Sequence, residues 1–236
     1  MPILVFGVQY TKNIYSFLNF EKMLKNDELG IQAYRELRKM IINGKLSPGQ
    51  KIIQEKLAAQ MGISRTPLRV ALHMLEAENL IEPKNKTGFK VKTIDNKEIL
   101  EIFDCRIALE STAAGILAKN ITPADAQKLS RFFQPYEKSN PGEFDNYKKT
   151  DTQFHDFIVE KCRNKYLYKL FKQGNLITYI ERIGLIRPPE HTLQDHLNIV
   201  DAILKGNPDA AEKAMKSHLI KSKEVIENKM KEELVQ

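Results

Sequence analysis

Four residues in the C-terminal part of the chain have the types and the spacing of a metal-binding site. Asp151 and His155 are four residues apart, so they share one face of a helix. His196 and His218 each fall on the apolar stripe of a further predicted helix. One carboxylate and three imidazoles suit a divalent transition metal such as Zn²⁺, Ni²⁺ or Mn²⁺. The same side chains could instead be hydrogen-bonded core residues, and the spacing alone leaves both interpretations open.

A second group of polar residues, in the N-terminal part, has the chemistry of DNA recognition. A short amphipathic helix runs from Ile53 to Met61, and Gly62 ends it because glycine adopts a left-handed cap easily. A second helix follows, and its polar side carries Ser64, Arg65, Thr66, Arg69 and His73. Arginine neutralises phosphate and can bond guanine O6 and N7 together. The pattern is typical of a helix-turn-helix in the major groove, although a helical hairpin with a solvated basic face would look similar.

The flanking residues predict a winged form of this motif. A preceding helix ends near Asn43-Gly44. After the second helix come two short predicted strands, Leu80–Pro83 and Gly88–Val91. The polar stretch between them includes Lys86 and Thr87 and forms the tip of a hairpin. Such a wing touches the DNA backbone or the minor groove beside a recognition helix.

The positive charge of the chain is concentrated in this winged region. The protein has 236 residues and a formal net charge of +7. Residues 31–92 contain 12 Lys and Arg against 5 Asp and Glu, whereas residues 93–236 contain 22 of each and residues 1–30 contain 3 of each. Because the whole excess lies on the predicted helix-turn-helix, it indicates phosphate neutralisation rather than a uniformly basic protein.

Composition disfavours secreted, disulfide-rich and membrane proteins. Cys105 and Cys162 are too few for a disulfide framework or a cysteine-based zinc site, and Cys105 falls in an apolar-periodic stretch that predicts a core position. The sequence has no apolar run long enough for a membrane span. Residues 1–10 are apolar but lack the basic start and the cleavage site of a signal peptide. We therefore expect a cytoplasmic protein with no membrane partner.

The chain is predicted to be mainly α-helical, with a winged helix-turn-helix followed by an antiparallel α-helical bundle of about six helices. Residues 31–92 form the predicted DNA-binding domain and residues 93–236 the all-helical domain, while residues 1–30 are an N-terminal extension of unknown role. A linker at Lys92–Asp95 joins the two domains. Apolar periodicity and proline positions predict helices at Glu98–Lys119, Ile121–Tyr136, Phe144–Cys162, Lys165–Ile183, Pro189–Lys205 and Pro208–Glu232.

Residues 34–91 resemble the DNA-binding domain of the GntR family of bacterial transcription regulators. The resemblance rests on Tyr34, Leu37-Arg38, Ile41, Gly44, Pro48-Gly49-Gln50, Leu57-Ala58, Gly62 to Arg69, Ala71-Leu72, Leu75, Leu80-Ile81, Gly88 and Val91. It implies that Arg65 and Arg69 contact the operator, together with the wing near Thr87-Gly88. The remaining DNA-binding candidates are Arg38, Lys56, Ser64, Thr66 and Lys86. One departure is Val70, because the family usually has an acidic residue there.

The C-terminal part resembles the FCD ligand-binding domain, which follows the DNA-binding domain in the FadR-like subfamily of these regulators. Asp151-Thr152-Gln153-Phe154-His155 matches its Asp-x-x-x-His motif. Asp195-His196 and the segment around His218 match its two later histidine motifs. The resemblance implies that all four positions bind the metal. The expected six helices are nearer the VanR-like branch than the seven-helix FadR branch.

In this family the open positions of the metal suit the carboxylate of a small organic acid effector. Arg106, in the segment that resembles the first FCD helix, is the best candidate to complete an acid-binding pocket. A structural pair with Glu110, one helical turn away, would be an equally good role for it. Tyr179 could add a hydroxyl, and Arg182 and Arg187 are further candidate cations.

Together these features predict a homodimeric transcriptional regulator whose two recognition helices bind a roughly palindromic operator in double-stranded DNA. The organic acid would change operator affinity through the linker. Two alternatives stay open. One is a metal-dependent hydrolase or lyase fused to a DNA-binding domain, although the sequence shows no clear general base, phosphate-binding loop or nucleophile motif. The other is an architectural DNA binder with a structural metal. The effector, the operator, the native metal and the choice between repression and activation are not determined by the sequence.

Overall fold

The computed structural model describes residues 27–84, 88–137 and 146–233. These residues form two compact units that divide between Thr93 and Ile94. The expected fold class, mainly α-helical with a winged helix-turn-helix, is confirmed. The predictions for the N-terminal extension up to residue 26, and for Lys86 and Thr87 at the wing tip, lie outside the described residues.

Within the described residues, the first unit contains three helices and a three-stranded antiparallel sheet. The helices are α1 (residues 27–42), α2 (Gln54–Met61) and α3 (Arg65–Ala77). The strands are β1 (Lys51–Ile52), β2 (Ile81–Lys84) and β3 (Gly88–Val91), in the order β1-β3-β2. Ile81 pairs with Val91 and Ile52 with Phe89. The apolar side of the sheet therefore packs in the same core as the three helices.

The turn between α2 and α3 depends on Gly62. Its φ of 64° lies in the left-handed region, and its N–H donates to the Ala58 and Ala59 carbonyls, which ends α2. Ser64 is extended, and α3 begins at the next residue. The buried side of α3 has no exposed surface at Leu68, Ala71, Leu72 and Leu75. The opposite side, which carries the arginines, therefore stays at the surface.

Val70, the departure from the family pattern, packs against α1. A Cβ atom on Gly30 would lie 3.0 Å from Val70 Cγ1 and 3.4 Å from the Pro67 carbonyl oxygen. The two helices thus approach closely, and the glycine leaves room for the valine side chain. The apolar residue at this position is explained by the contact between helices, and its neighbour Arg69 stays exposed.

Polar contacts tie α1 to the end of α3. Arg38 Nε donates to Glu78 Oε2 at 3.1 Å, and the Tyr34 hydroxyl donates to the same carboxylate. Burial and the adjacent Glu78 raise the pKa of Tyr34 to about 12, so its hydroxyl remains a donor at neutral pH. Arg38 therefore has a structural partner inside the unit, and its contact with DNA stays a prediction.

The second unit contains seven α-helices within the described residues. They are α4 (Asn96–Asn120), α5 (Pro123–Leu129), α6 (Tyr147–Lys161), α7 (Lys165–Gln173), α8 (Leu176–Ile183), α9 (Pro189–Leu204) and α10 (Pro208–Glu233). The longest helices, α4 and α10, pack against each other, and α4 also contacts α6 and α9. Asp95 caps α4 by accepting a hydrogen bond from Glu98 N at 2.7 Å. No described helix has the length and apolar character needed to cross a membrane.

Two helix predictions for this unit are wrong in detail. The second predicted helix stops at Leu129, and Gln134–Tyr136 forms a separate 3-10 turn. The helix predicted over Lys165–Ile183 breaks at Gly174, because the following Asn175 has a φ of 52°. Asparagine tolerates this left-handed conformation, and an α-helix cannot continue through it. The described part of this unit therefore has seven α-helices where about six were expected.

The core position predicted for Cys105 is also wrong. Ile102, Phe103 and Arg106 occupy the buried side of α4, and the Cys105 thiol is exposed. The apolar pattern of α4 is broad, so its sequence did not define which residues at the edge of the stripe face the core.

Replacing Leu72 by Ala tests the core of the first unit. The side chain has no exposed surface, so its truncation should lower the free energy of unfolding by about 2–5 kcal/mol through lost burial and a residual cavity. Urea denaturation followed by circular dichroism measures the change. The control Ile53→Ala removes a side chain that is 52% exposed and should change stability by about 0.5 kcal/mol or less. Equal losses in both variants would contradict this assignment of the core.

Candidate functional site

Four side chains from three helices of the second unit converge on one point. Asp151 and His155 come from α6, His196 from α9 and His218 from α10. Each offers one ligand atom, and these atoms all lie within 4.8 Å of one another. All four side chains are buried. The structure thus brings together the complete set that the sequence predicts.

The electrostatics of the cluster favour an ionised Asp151 beside neutral His196 and His218, since burial lowers the pKa of both imidazoles. Asp151 Oδ1 lies 3.2 Å from His196 Nε2 and 3.9 Å from His155 Nε2. Burial alone would raise the pKa of Asp151, but the adjacent histidines hold it well below its usual range. Burial and the nearby His196 lower the pKa of His218 to about 3. Ionised carboxylate and neutral imidazole are the protonation states that bind a metal.

Two nitrogen atoms in this cluster lack the hydrogen bonds that buried groups normally have. His196 Nε2 and His218 Nδ1 are buried and have no hydrogen-bond partner among the described residues. A buried polar atom without a partner is unfavourable, since it loses its bonds to water and gains none in return. A metal ion would accept the lone pair of His196 Nε2, which faces Asp151, whereas His218 Nδ1 faces Asp195 on the outer side of the cluster. The donor set therefore fits a divalent transition metal.

His155 is held from outside the cluster by a buried ion pair. Glu110, on α4, contacts His155 Nδ1 through Oε2 and accepts a hydrogen bond from Arg106 Nε through Oε1 at 2.7 Å. Glu110 has no exposed surface. Burial would raise the pKa of Glu110, but Arg106 and His155 lower it to about 2. A carboxylate on Nδ1 fixes the ring orientation and points Nε2 at the cluster.

His196 has a different support. The Tyr147 hydroxyl lies 2.9 Å from His196 Nδ1 and 3.1 Å from Thr192 Oγ1. Phe133 stacks on the imidazole with ring centroids 4.5 Å apart and an interplanar angle of 5°. Burial raises the pKa of Tyr147, so its hydroxyl keeps its proton. The ring is thereby fixed in the plane that turns Nε2 toward Asp151.

His218 faces a third carboxylate. Asp195 Oδ2 lies 3.7 Å from His218 Nδ1, which is too long for a hydrogen bond. The same oxygen accepts a hydrogen bond from Arg187 Nη1 at 2.7 Å, and Oδ1 accepts one from Lys221 Nζ at 2.7 Å. Burial would raise the pKa of Asp195, but His218, Lys221 and Arg187 hold it well below its usual range.

Sequence reasoning missed these outer partners as part of the site. Glu110 carried one signal, its helical spacing from Arg106, and Asp195 carried another, its place beside His196. Tyr147 carried none, because its contact with His196 joins residues 49 positions apart. Contacts between distant helices are fixed by packing, which a single sequence does not display.

A small cavity of about 20 Å³ lies beside the cluster. Arg106 and Arg187 both line it, together with Asp151, His155 and His218. The other two predicted effector residues, Tyr179 and Arg182, are not among the described residues that line it. The Tyr179 hydroxyl instead donates to Glu98 Oε1 at 3.2 Å. Of the two further candidate cations, Arg187 lines the cavity beside the cluster and Arg182 does not.

The predicted DNA-contacting residues at the start of α3 lie together at the surface. They are Ser64, Arg65, Thr66 and Arg69. Lys56 is exposed on α2, and Gly88 begins β3. Arg65 Nη2 lies 3.0 Å from Glu55 Oε1, with side chains 71% and 63% exposed. Because an exposed ion pair contributes only about 0–1 kcal/mol, Arg65 can exchange Glu55 for DNA readily.

Both units match known families. Residues 29–91 match the family described as bacterial regulatory proteins, gntR family. Residues 101–221 match the FCD domain. The chain belongs to the GntR family. Regulators of this family bind operator DNA, so this GntR protein is a DNA-binding transcriptional regulator.

Several GntR relatives carry names of transcriptional regulators. The uncharacterized HTH-type regulator YdhC of Bacillus subtilis is 29% identical over 194 residues, which cover 80% of this chain and 86% of that protein. The gluconate operon transcriptional repressor of Bacillus licheniformis is 30% identical over 167 residues, which cover 70% and 68%. The structure of E. coli McbR/YncC shares the fold, with a TM-score of 0.66 and 22% identity over 86% of this chain and 98% of that one.

Replacing Glu110 by Gln tests the buried support of His155 in this GntR protein. The change leaves the Arg106 guanidinium, which is 6% exposed, without its counter-ion. Breaking a buried pair in this way should lower the free energy of unfolding by about 3–5 kcal/mol. Urea denaturation measures it, and Glu160→Gln, which removes an exposed partner of Lys161, is the control. A loss no larger than that of the control would rule out the structural role of Glu110.

Proposed function

We propose that this GntR regulator binds its operator through α3 and the wing, with an affinity that a small organic acid changes at a metal site in the helical unit. One observation carries the metal site. Asp151, His155, His196 and His218 form a buried cluster in which His196 Nε2, the nitrogen that faces Asp151, makes no hydrogen bond. A divalent ion such as Zn²⁺, Ni²⁺ or Mn²⁺ suits these donors. When bound, the metal would supply open coordination positions for an oxygen ligand.

The DNA half of the proposal rests on the exposed start of α3. Arg65 and Arg69 would read base edges and neutralise phosphate, and Lys56 and the wing would add backbone contacts. A homodimer would place two such helices in successive major grooves of a palindromic operator. The protein would then act in the cytoplasm, where the DNA is. Repression is the better-supported mode, because a relative is named a gluconate operon repressor.

The acid half of the proposal rests on the cations beside the cluster. Arg106 and Arg187 both line the cavity, and arginine binds carboxylate with two parallel hydrogen bonds. A carboxylic acid that reaches the metal would thus also meet a guanidinium. The name of one relative refers to gluconate, which is a sugar acid, and this agrees with a carboxylate effector.

The metalloenzyme alternative is less well supported by the residues around the cavity. A metal-dependent hydrolase or lyase needs a general base that is free to take a proton. Of the described carboxylates here, Asp151 is a candidate ligand, Glu110 is paired with Arg106, and Asp195 is paired with Arg187 and Lys221. A purely structural metal is favoured by one observation, the small size of the cavity, and the acid titration below separates it from a sensor.

Replacing Arg65 or Arg69 by Ala should weaken operator binding by about 10–100-fold per residue, because a base contact contributes about 1–3 kcal/mol. The operator would first be recovered by selection from a random DNA pool and then titrated in a mobility-shift assay. The control Arg35→Ala removes an equal charge from the exposed face of α1. If all three variants lost affinity equally, the effect would come from net charge and not from α3.

Replacing His155 and His196 together by Ala should abolish metal binding. The purified native protein should contain about one equivalent of a transition metal per chain, as one four-donor set predicts. The matched control changes the two exposed histidines, His73 and His191, to Ala and should keep the metal. Elemental analysis gives the metal content. If the native protein contained no metal after purification in the absence of chelators, the four side chains would be hydrogen-bonded core residues and not metal ligands.

The same proteins test the effector in a thermal-shift titration with small acids, including gluconate, against the neutral sugar glucose. An acid that binds only the folded protein raises the melting temperature. We expect stabilisation by an acid in the native protein and its loss in the His155/His196 variant. Metal without any acid response would support a structural site.

A further inference from the structure

The cavity beside the metal cluster is too small for an organic acid as it stands. Its volume of about 20 Å³ is close to the space of a single water molecule. Part of the wall must therefore move before a carboxylate can enter. Four of its lining residues, Gly184 to Arg187, belong to the segment that joins α8 to α9, while the remaining ones lie on helices.

The first residue of this segment, Gly184, has a backbone conformation that requires glycine. Gly184 has a φ of 73° and a ψ of −154°, a region that side chains exclude. The half-buried Leu185 and Ile186 follow and pack against the core of the unit. Residues 184–187 thus form a short non-helical segment that closes one side of the cavity and begins at Gly184. We call this segment the cover.

Arg187 fastens the end of this cover to α9. Its Nη1 donates to Asp195 Oδ2 at 2.7 Å and its Nη2 donates to the His191 carbonyl at 2.7 Å. The Arg187 and Asp195 side chains are only 12% and 11% exposed. Asp195 Oδ2 is also the atom that faces His218 Nδ1, at 3.7 Å, and that nitrogen has no hydrogen bond.

We propose that Arg187 is the acid-binding residue of this site and that Asp195 is a positioning residue for His218. When the acid binds Arg187, it releases Asp195 from the guanidinium. The inference rests on the proposed metal and acid function. The carboxylate of the acid replaces Asp195 at the Arg187 guanidinium, so one charge pair is exchanged for another. Asp195 Oδ2 can then accept a hydrogen bond from His218 Nδ1–H. That bond would orient the other imidazole nitrogen toward the metal, as a carboxylate commonly does for a histidine ligand.

Arg106 is less suited to this role, although it lines the same cavity. Its Nε is bound at 2.7 Å by Glu110, which is completely buried and has no route to water when displaced. Asp195 differs because Lys221, which is 47% exposed, holds its second oxygen. Asp195 therefore keeps a cation when Arg187 leaves. The exchange gives a reciprocal coupling, in which acid tightens metal binding and metal tightens acid binding.

The test measures the zinc dissociation constant of the full-length protein by competition with a chromogenic chelator. Sodium acetate is the acid probe, and sodium chloride at the same ionic strength is the reference. The Arg187→Gln variant leaves Asp195 permanently available to His218. We expect it to bind zinc about tenfold more tightly than the native protein without acetate, and to lose the acetate response. In the presence of acetate, Asp195→Asn should bind zinc about 10–100-fold more weakly than the native protein, because it removes the carboxylate that would hold His218.

Lys221→Gln is the matched control. It removes the same charge from the other oxygen of Asp195, so it should keep the native acetate response and tighten zinc binding less than Arg187→Gln does. If both variants bound zinc more tightly by the same factor, the effect would come from the change in net charge, and the exchange would be refuted. Weaker zinc binding in Arg187→Gln, or a full acetate response in it, would also overturn the exchange. So would zinc binding without an acetate response in the native protein.

These outcomes are distinct from failure of the proposed function. A native protein that binds no zinc refutes the metal site itself, and the exchange with it. A native protein that binds zinc and responds to acetate, with Arg187→Gln responding equally, keeps the sensor and refutes only the role of Arg187. Melting curves of each variant confirm that the compared proteins are folded.

Discussion

The helical unit is constrained by the charged and polar groups that it buries at its centre. Asp151 and Glu110 are carboxylates inside a protein core, where an unpaired charge would be strongly unfavourable. Each is tolerated because cations or imidazoles surround it, and some of these come from another helix, as His155 does for Glu110 and His196 for Asp151. The positions of α4, α6, α9 and α10 are therefore linked to one another by partners that must stay within hydrogen-bonding range. An apolar core alone would allow the helices to slide by a turn, because many apolar arrangements have similar energies.

The three histidines illustrate how this constraint is met. His155 is supported by Glu110 on α4, His196 by Tyr147 on α6, and His218 faces a neighbouring carboxylate on α9. Each imidazole thus has a distinct partner on its outer side, and the inner sides meet at one point. The first two are in hydrogen-bonding contact and the third is not. A metal ion bound here would therefore have one ligand, His218, whose outer nitrogen no hydrogen bond fixes.

Helical periodicity accounts for the features that the sequence predicted well. Asp151 and His155 must share a face if their segment is helical, and His196 lies on an apolar stripe, so their convergence needs only a bundle. The features that the sequence did not predict depend on contacts between distant segments or on one backbone angle. Tyr147 reaches His196 across 49 positions, and the break after Gly174 follows from a single left-handed residue. Apolar periodicity indicates neither the contact nor the break, because the apolar spacing continues unchanged through the break.

Charge balance supports the proposal that an anion binds at this centre. The sequence from residue 93 to the end carries 22 cationic and 22 anionic side chains, so this unit is neutral. Around the cluster the same balance holds locally, because the carboxylates of Asp151, Glu110 and Asp195 are matched by Arg106, Arg187 and Lys221. Histidine ligands are neutral when they bind a metal. A divalent ion would therefore add two uncompensated positive charges to a buried place, and an organic acid would remove part of that excess. The basic DNA-binding unit has no such balance, and its excess charge is matched by the phosphates of DNA.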